Sequence, residues 1–218
     1  YEITSRQSVQ GRLLVSRDSF HYADPAEIRR IDTDYDSAYA WLSHQAFVSP
    51  HLYLHTTASS AFLEQARSGF ESDELREFDV DDNRRVGILG LAHSGAFQAG
   101  ARNFLTFGVE YQIFDARYDY SSSREIFGGL AEPSERTFVL DDRFDTENTT
   151  LYLSDRIRAS DALTLELGLR YDAQTSRDGS FLSPRLSAAW AASRSDVFRV
   201  AWGKYSQSHR PYELMVED

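Results

Sequence analysis

An all-β fold is what this sequence predicts: an antiparallel up-and-down meander forming part of a transmembrane β-barrel. Three observations carry the expectation. The first is a repeated two-faced segment, seen most cleanly in LTLELGLRYD, residues 163–172. There Leu163, Leu165, Leu167, Leu169 and Tyr171 share one parity, and Thr164, Glu166, Gly168, Arg170 and Asp172 share the other. Successive side chains of an extended chain point to opposite faces, so one face is wholly apolar and the other charged. The second is the near absence of helical periodicity; only a stretch near Pro25 to Arg30 suggests a single helical turn. The third is an alternation of short turns with longer polar segments.

The elements follow in order. About nine strands are expected, at roughly 8–22, 34–48, 51–66, 75–94, 103–120, 141–158, 163–175, 181–192 and 196–208. In NFLTFGVEYQIF (103–114), Leu105, Phe107, Val109, Tyr111 and Ile113 form one row, opposite Thr106, Gly108, Glu110 and Gln112. FLSPRLSAAW (181–190) sets Leu182, Leu186, Ala188 and Trp190 against Arg185 and Ser187, and VFRVAWGKY sets Phe198, Val200 and Trp202 against Arg199, Ala201 and Gly203. The strands 34–48 and 75–94 are less clean, because LSHQAFV mixes polar groups on both parities. Short turns are expected at 48–52, 99–103, 158–163 and 191–197, and longer polar connections at 23–33, 67–75, 121–136 and 175–180. Several of these strands exceed 12 residues, against about 5–6 for ordinary soluble ones.

Composition bounds the rest. The 218 residues are 41 % hydrophobic and 26 % charged, which excludes a disordered chain. A net charge of −11 argues against nucleic acid as a partner. Cysteine is absent, so disulfides and thiolate metal sites are excluded. No apolar run reaches the ~18 residues a transmembrane helix needs, but a transmembrane strand needs only about 9–11, with alternate ones apolar. Ten such residues at about 3.3 Å each, tilted by about 45°, cross roughly 23 Å, close to an outer-membrane apolar band of about 25 Å. An arginine facing lipid at mid-depth would cost about 2–4 kcal/mol, and parity puts Arg170, Arg185 and Arg199 away from the apolar rows. Tyr171, Trp190 and Trp202 at the ends of those rows suit interfacial girdles. The lipid-facing candidates are therefore Leu105, Phe107, Val109, Tyr111, Leu163, Leu165, Leu167, Leu169, Tyr171, Trp190, Val200 and Trp202. The lumen-facing candidates are Glu110, Gln112, Glu166, Arg170, Asp172, Arg185 and Arg199.

A resemblance becomes specific in the last third. LYLSDRIRASDALTLELGLRYDAQ (151–174) is followed by LSPRLSAAW (182–190) and FRVAWGKYSQSHRPYEL (198–214). This succession resembles the barrel of TonB-dependent outer-membrane receptors. The family similarly carries an LTLxLGLRYD-like strand, an SPRLS strand start and a YxxxxRPYEL-like end. The clear match covers about 65 residues, and residues 1–150 fit by pattern as earlier strands. The resemblance implies about 22 strands around a globular plug, a Gram-negative outer membrane, and uptake of iron chelates, cobalamin or carbohydrates with energy passed on by TonB. It also implies partners: outer-membrane lipid and lipopolysaccharide, the plug, TonB and a small solute. Against that pattern the sequence shows no plug, no TonB box, too few strands and a last residue, Asp218, that is not aromatic. The chain is therefore expected to be one part, residues 1–218, of a longer barrel protein.

Chemistry-bearing residues give little else. Acidic runs stand at 71–74, 79–82 and 141–145, and Asp141, Asp142 and Asp145 could supply some calcium ligands; the plainer reading lines the polar ends of strands with them. His44 and His55 flank Ser49-Pro50 and would face each other across a two-residue hairpin, but no third ligand is evident. No G-x-S-x-G or H-E-x-x-H pattern occurs, and Gly128-Gly129-Leu130 precedes no helix. No enzyme activity, cofactor or metal is expected. The expected function is the wall of an active transporter. The alternatives are a passive porin-like barrel, a soluble β-sheet binding protein and, less favoured, a barrel enzyme.

Overall fold

The computed structural model describes residues 2–25, 28–127, 134–176 and 179–206. They form one ten-stranded antiparallel sheet in which every strand pairs with its neighbour in sequence. The strands are β1 (Glu2–Thr4), β2 (Gln7–Ala23), β3 (Arg29–Ser49), β4 (Leu52–Ser72), β5 (Arg76–Ala99), β6 (Asn103–Ile126), β7 (Ser134–Arg158), β8 (Leu163–Gln174), β9 (Gly179–Ala191) and β10 (Val197–Gly203). No described helix is long and apolar enough to cross a membrane, which leaves crossing by strands untouched.

Two features depart from the expectation. A three-residue β1 precedes the first strand read from sequence. The polar segments 23–33, 67–75 and 121–136, expected as long connections, also contribute more than half of their length to strands, so β3, β4, β6 and β7 run to 21, 21, 24 and 25 residues. Alternation fades there because both faces are polar. The backbone nonetheless keeps pairing, since each unpaired N–H and C=O would forfeit a hydrogen bond. The helical turn expected at 25–30 falls partly outside the described residues; Asp24 accepts backbone bonds from Ile28 and Arg29 at 2.8 and 3.2 Å, and Arg29 already opens β3.

At the opposite end the turns are tight. Gly100 has φ +83°, a conformation that favours glycine. The Gln98 side chain closes this turn by donating to the carbonyls of Gly100 and Asn103 at 2.7 and 3.0 Å.

The pairing register sorts every side chain onto one of two faces. One face is sheltered: Thr33, Asp82, Ala116, Tyr118, Thr146, Gln174 and Ser183 are buried and all lie on it, whereas only the small residues Ala46 and Gly95 are buried on the other among the described residues. The opposite face is open. Leu42, Phe62, Leu89, Leu91, Val109, Leu151, Leu167, Leu186 and Trp202 are exposed there. This inverts the rule for a water-soluble domain, in which the apolar side of a sheet is the covered one.

On that open face the apolar residues occupy a band next to the tight turns: 38–48 in β3, 52–62 in β4, 87–97 in β5, 105–113 in β6, 149–157 in β7, 163–171 in β8 and 182–190 in β9. Each stretch matches the about 9–11 residues of a bilayer-crossing strand. The taller strands continue beyond it. At about 3.3 Å per residue and a tilt of about 45°, a strand the length of β6 rises roughly 56 Å, some 30 Å more than the apolar band.

Candidate functional site

The register gathers the candidate residues onto two surfaces. The twelve apolar candidates fall together on the open face. Leu105, Phe107, Val109 and Tyr111 of β6 sit across from Asp155, Leu153, Leu151 and Thr149 of β7. Leu163, Leu165, Leu167, Leu169 and Tyr171 of β8 sit across from Trp190, Ala188, Leu186, Pro184 and Leu182 of β9. Val200 and Trp202 of β10 continue the surface beside Ala188 and Leu186. At the turn end Trp190 and Phe198 stack, ring centroids 5.9 Å apart. Small residues let the large ones lie flat: a Cβ on Gly95 would run into the Phe107 ring and the Leu54 side chain.

One row of this face ends the apolar band abruptly. Arg17, Asp36, Glu64, Arg85, Arg117 and Arg143 are direct register partners from β2 to β7. Arg17 donates to Asp36 at 2.6 Å, Arg85 to Glu64 at 2.8 Å, and Arg117 to Asp119 at 3.2 Å. Arg143 donates to Asp115, and its Nε lies 3.6 Å from Asp145. Asp36 holds the Arg17 guanidinium, and Asp115 that of Arg143, above its ordinary range through these hydrogen bonds. Beyond this row the same face carries Asp32, Asp34, Asp81, Asp119 and Asp141 around one depression of about 500 Å³, which Arg67, Asp82 and Tyr120 of the other parity also line.

The seven polar candidates fall together on the sheltered face. Glu110, Gln112, Arg170 and Asp172 line a cavity of about 230 Å³ between β6, β7 and β8, with Asn148, Thr150 and Gln174. Arg170 grips Asp172 through Nε at 2.9 Å and Nη2 at 2.8 Å; the Thr150 hydroxyl donates to the same carboxylate at 2.7 Å, and Gln112 donates to Glu110 at 2.7 Å. Glu166, Arg170 and Arg185 line a second cavity of about 440 Å³ with Tyr152 and Tyr205. Glu166 accepts from Arg156 at 3.3 Å, and the Arg185 guanidinium lies 5.1 Å from the Tyr205 ring centroid. Arg199 shares a third hollow with Glu166 and Arg156. Gly108 leaves the room that the Tyr152 ring fills, since a Cβ there would stand 2.5 Å from the ring.

Higher on the sheltered face lies a cluster that the sequence reading missed. Asp82, its side chain 1 % exposed, accepts from Arg84 Nε and Nη2 at 2.7 Å each and from Arg67 Nη2 at 3.1 Å. Arg84 lies over the buried Tyr118 ring, 5.4 Å from its centroid. The Asp82 hydrogen bond holds the Arg84 guanidinium above its ordinary range, and burial pushes the Tyr118 hydroxyl up. In sequence Asp82 is one more acid in DVDD; only parity separates it from the open-face Asp79 and Asp81.

Two groupings read from sequence come apart. The hairpin pairs Ser49 with Leu52 and shifts register between Phe47 and Ser49. His44 therefore faces Thr56 and His55 faces Gln45, with the two histidines on opposite faces. Asp141 and Asp145 lie on the open face and Asp142 on the sheltered one, so the three carboxylates do not converge. Among the described residues no group of three or more His, Cys, Asp or Glu could hold a metal. Gly128–Leu130 and the RPYEL end, 210–214, lie outside the described residues.

A one-sheet meander with an open apolar band and a sheltered polar face defines a membrane-barrel wall. Comparison gives its family. The model described as TonB dependent receptor-like, beta-barrel, matches residues 6–215. The chain belongs to that family, one of receptors and not of enzymes, and to the outer membrane of a Gram-negative bacterium. No curated protein matches it. It is similar to the RagAB peptide importer in its open-open state, at TM-score 0.51 and 10 % identity, over 76 % of this chain and 20 % of that one. It is similar to the ferric citrate transporter FecA, at TM-score 0.46 and 14 % identity, over 93 % of this chain and 37 % of that one. It is similar also to the siderophore receptor PiuA from Acinetobacter baumannii, at TM-score 0.45 and 13 % identity, over 90 % and 36 %. The chain thus spans about a fifth to two-fifths of the structures it matches.

Proposed function

We propose that the chain is part of the barrel wall of an active outer-membrane transporter that takes up a scarce solute such as an iron chelate, energised through TonB. The observation that carries the reading is the family match over 6–215, laid on a sheet whose two faces suit lipid and lumen. In this reading the open apolar band, Leu105 to Tyr111 and Leu163 to Tyr171 among it, meets lipid. The acidic stretch beyond the charged row meets the lipopolysaccharide layer. Glu110, Gln112, Glu166, Arg170, Asp172, Arg185 and Arg199 face the lumen, where they contact a plug domain or line a wet path. Among the described residues the sheet is open: β1 pairs with β2 only at Gln7 and Ser8, and β10 pairs with β9. Unpaired strand edges are not tolerated in lipid, which supports a wall completed by further strands around a plug.

The test is uptake by the parent protein in outer membranes. Radiolabelled ferric chelate should accumulate in energised cells and stop when TonB is deleted. Flux that persists without TonB and rises linearly with solute concentration would favour a passive porin. Recovery of the parent protein in the soluble fraction would favour a β-sheet binding protein.

A further inference from the structure

The Arg67–Asp82–Arg84 cluster lies beyond the apolar band, on the face proposed to line the lumen. Two register rows build it: Thr33, Arg67, Asp82 and Tyr120, and beside them Tyr35, Gln65, Arg84 and Tyr118. Asp82 is hidden, but the guanidiniums it orients are not; the Arg67 and Arg84 side chains keep 40 % and 34 % exposure. One carboxylate thus fixes two cations and leaves a positive charge. The Arg67 Nε, buried, finds no hydrogen-bond partner among the described residues. The other charged groups on the second row, Asp18 and Asp142, stand at its ends beyond Tyr35 and Tyr118. An ion pair serving stability alone needs one arginine, and the second is surplus. Guanidinium forks that are already oriented bind oxyanions bidentately with little ordering left to do. Tyr35, half exposed, shares the second row with Arg84, and Tyr120 stands across from Asp82 on the first, its ring centroid 5.9 Å from that of Phe138.

We propose that Arg67 and Arg84, oriented by Asp82, form an anion-docking site on the inner wall for a solute that carries an oxyanion beside a flat apolar face. The inference rests on the transporter reading for its setting and adds the chemical class of the cargo. The probe is pyranine, a flat aromatic trisulfonate, followed by fluorescence anisotropy on the purified parent receptor in detergent. The wild type should bind it, more weakly as salt rises. R67Q/R84Q should bind about tenfold or more weaker, the size expected for lost charge-assisted hydrogen bonds. Neutral pyrenemethanol should bind both alike. Asp82→Asn adds positive charge, so a merely electrostatic surface would bind pyranine more tightly; an oriented site should bind it severalfold more weakly. Heat-modifiable mobility in gels checks that each barrel is folded, and Arg67→Gln, which removes a single hydrogen bond, replaces the double variant if that one does not fold. Wild-type binding no tighter than R67Q/R84Q, or tighter binding by D82N, overturns the site. Arginine-dependent pyranine binding without TonB-dependent uptake would sink the transporter reading and leave the docking site standing.

Discussion

The stretch of each strand nearest the tight turns and the stretch beyond it obey opposite rules. From 105 to 113, β6 alternates strictly, with only apolar side chains on its open face. From Asp115 onward the same parity reads Asp115, Arg117, Asp119 and Ser121. The backbone pairing is continuous across the change. In the proposed reading what changes is the medium each side chain meets: one stretch needs apolar groups outward, and the other tolerates ion pairs worth about 0–1 kcal/mol each. Strand pairing is thus a property of the backbone, and membrane placement a property of one parity of side chains.

Substitutions can break that comparison. The largest effect is expected from Val109→Arg, which puts a charge in the middle of the apolar band; unfolding of the parent protein from lipid vesicles should show a loss of about 2–4 kcal/mol. Ser121→Arg, on the same face of the same strand beyond the band, should stay within about 0.5 kcal/mol. Equal effects at the two sites would remove the distinction between the stretches.

Packing within the band gives the next effect. Gly95→Ala should cost about 1–3 kcal/mol by driving a methyl into Phe107 and Leu54. Gly11→Ala, with nothing within 4 Å of the added carbon, should be near neutral in the same measurement. Breaking one exposed pair of the charged row, Arg143→Gln, should cost less than about 1 kcal/mol and should fade in high salt.

The smallest effect concerns a turn far from the band. Asp73 accepts from the backbone N–H groups of Leu75 and Arg76 at 2.8 and 3.0 Å and from Arg76 Nε at 2.9 Å. The backbone bond from Leu75, first, and then the Arg76 side chain hold its carboxyl below the ordinary range. A lowered carboxyl pKa stabilises the turn above its unfolded value, and that contribution is lost as pH falls through the folded one. Amide protection at Leu75 and Arg76, corrected for intrinsic exchange, should therefore fall only below the usual carboxylate range. Asp73→Asn should remove this pH dependence, and protection unchanged by it would refute the assignment.

Much of the band was legible in sequence because a period of two is unambiguous wherever one parity is wholly apolar, as in 103–114 and 163–172. The faces of β3 and β5 were not, because His44 and His93 sit on the apolar parity. Thr56, between them in register, hydrogen-bonds the His93 ring at 2.8 Å, a satisfaction that only the pairing reveals. The extent of the strands was hidden for another reason: beyond the band both parities are polar and read as loop. The Arg67–Asp82–Arg84 cluster was hidden because its members come from two strands. Nothing local in DVDDNRR marks Asp82 as buried.

The most direct test of the two-stretch account is a nitroxide scan along β6 of the parent receptor in lipid, from 103 to 121. The chain has no cysteine of its own to interfere. The account predicts oxygen accessibility with a period of two, maximal at 105, 107, 109, 111 and 113, giving way at 115 to accessibility to a water-soluble nickel chelate. Oxygen maxima on the even residues, or an alternation that runs on undiminished to 121, would contradict it.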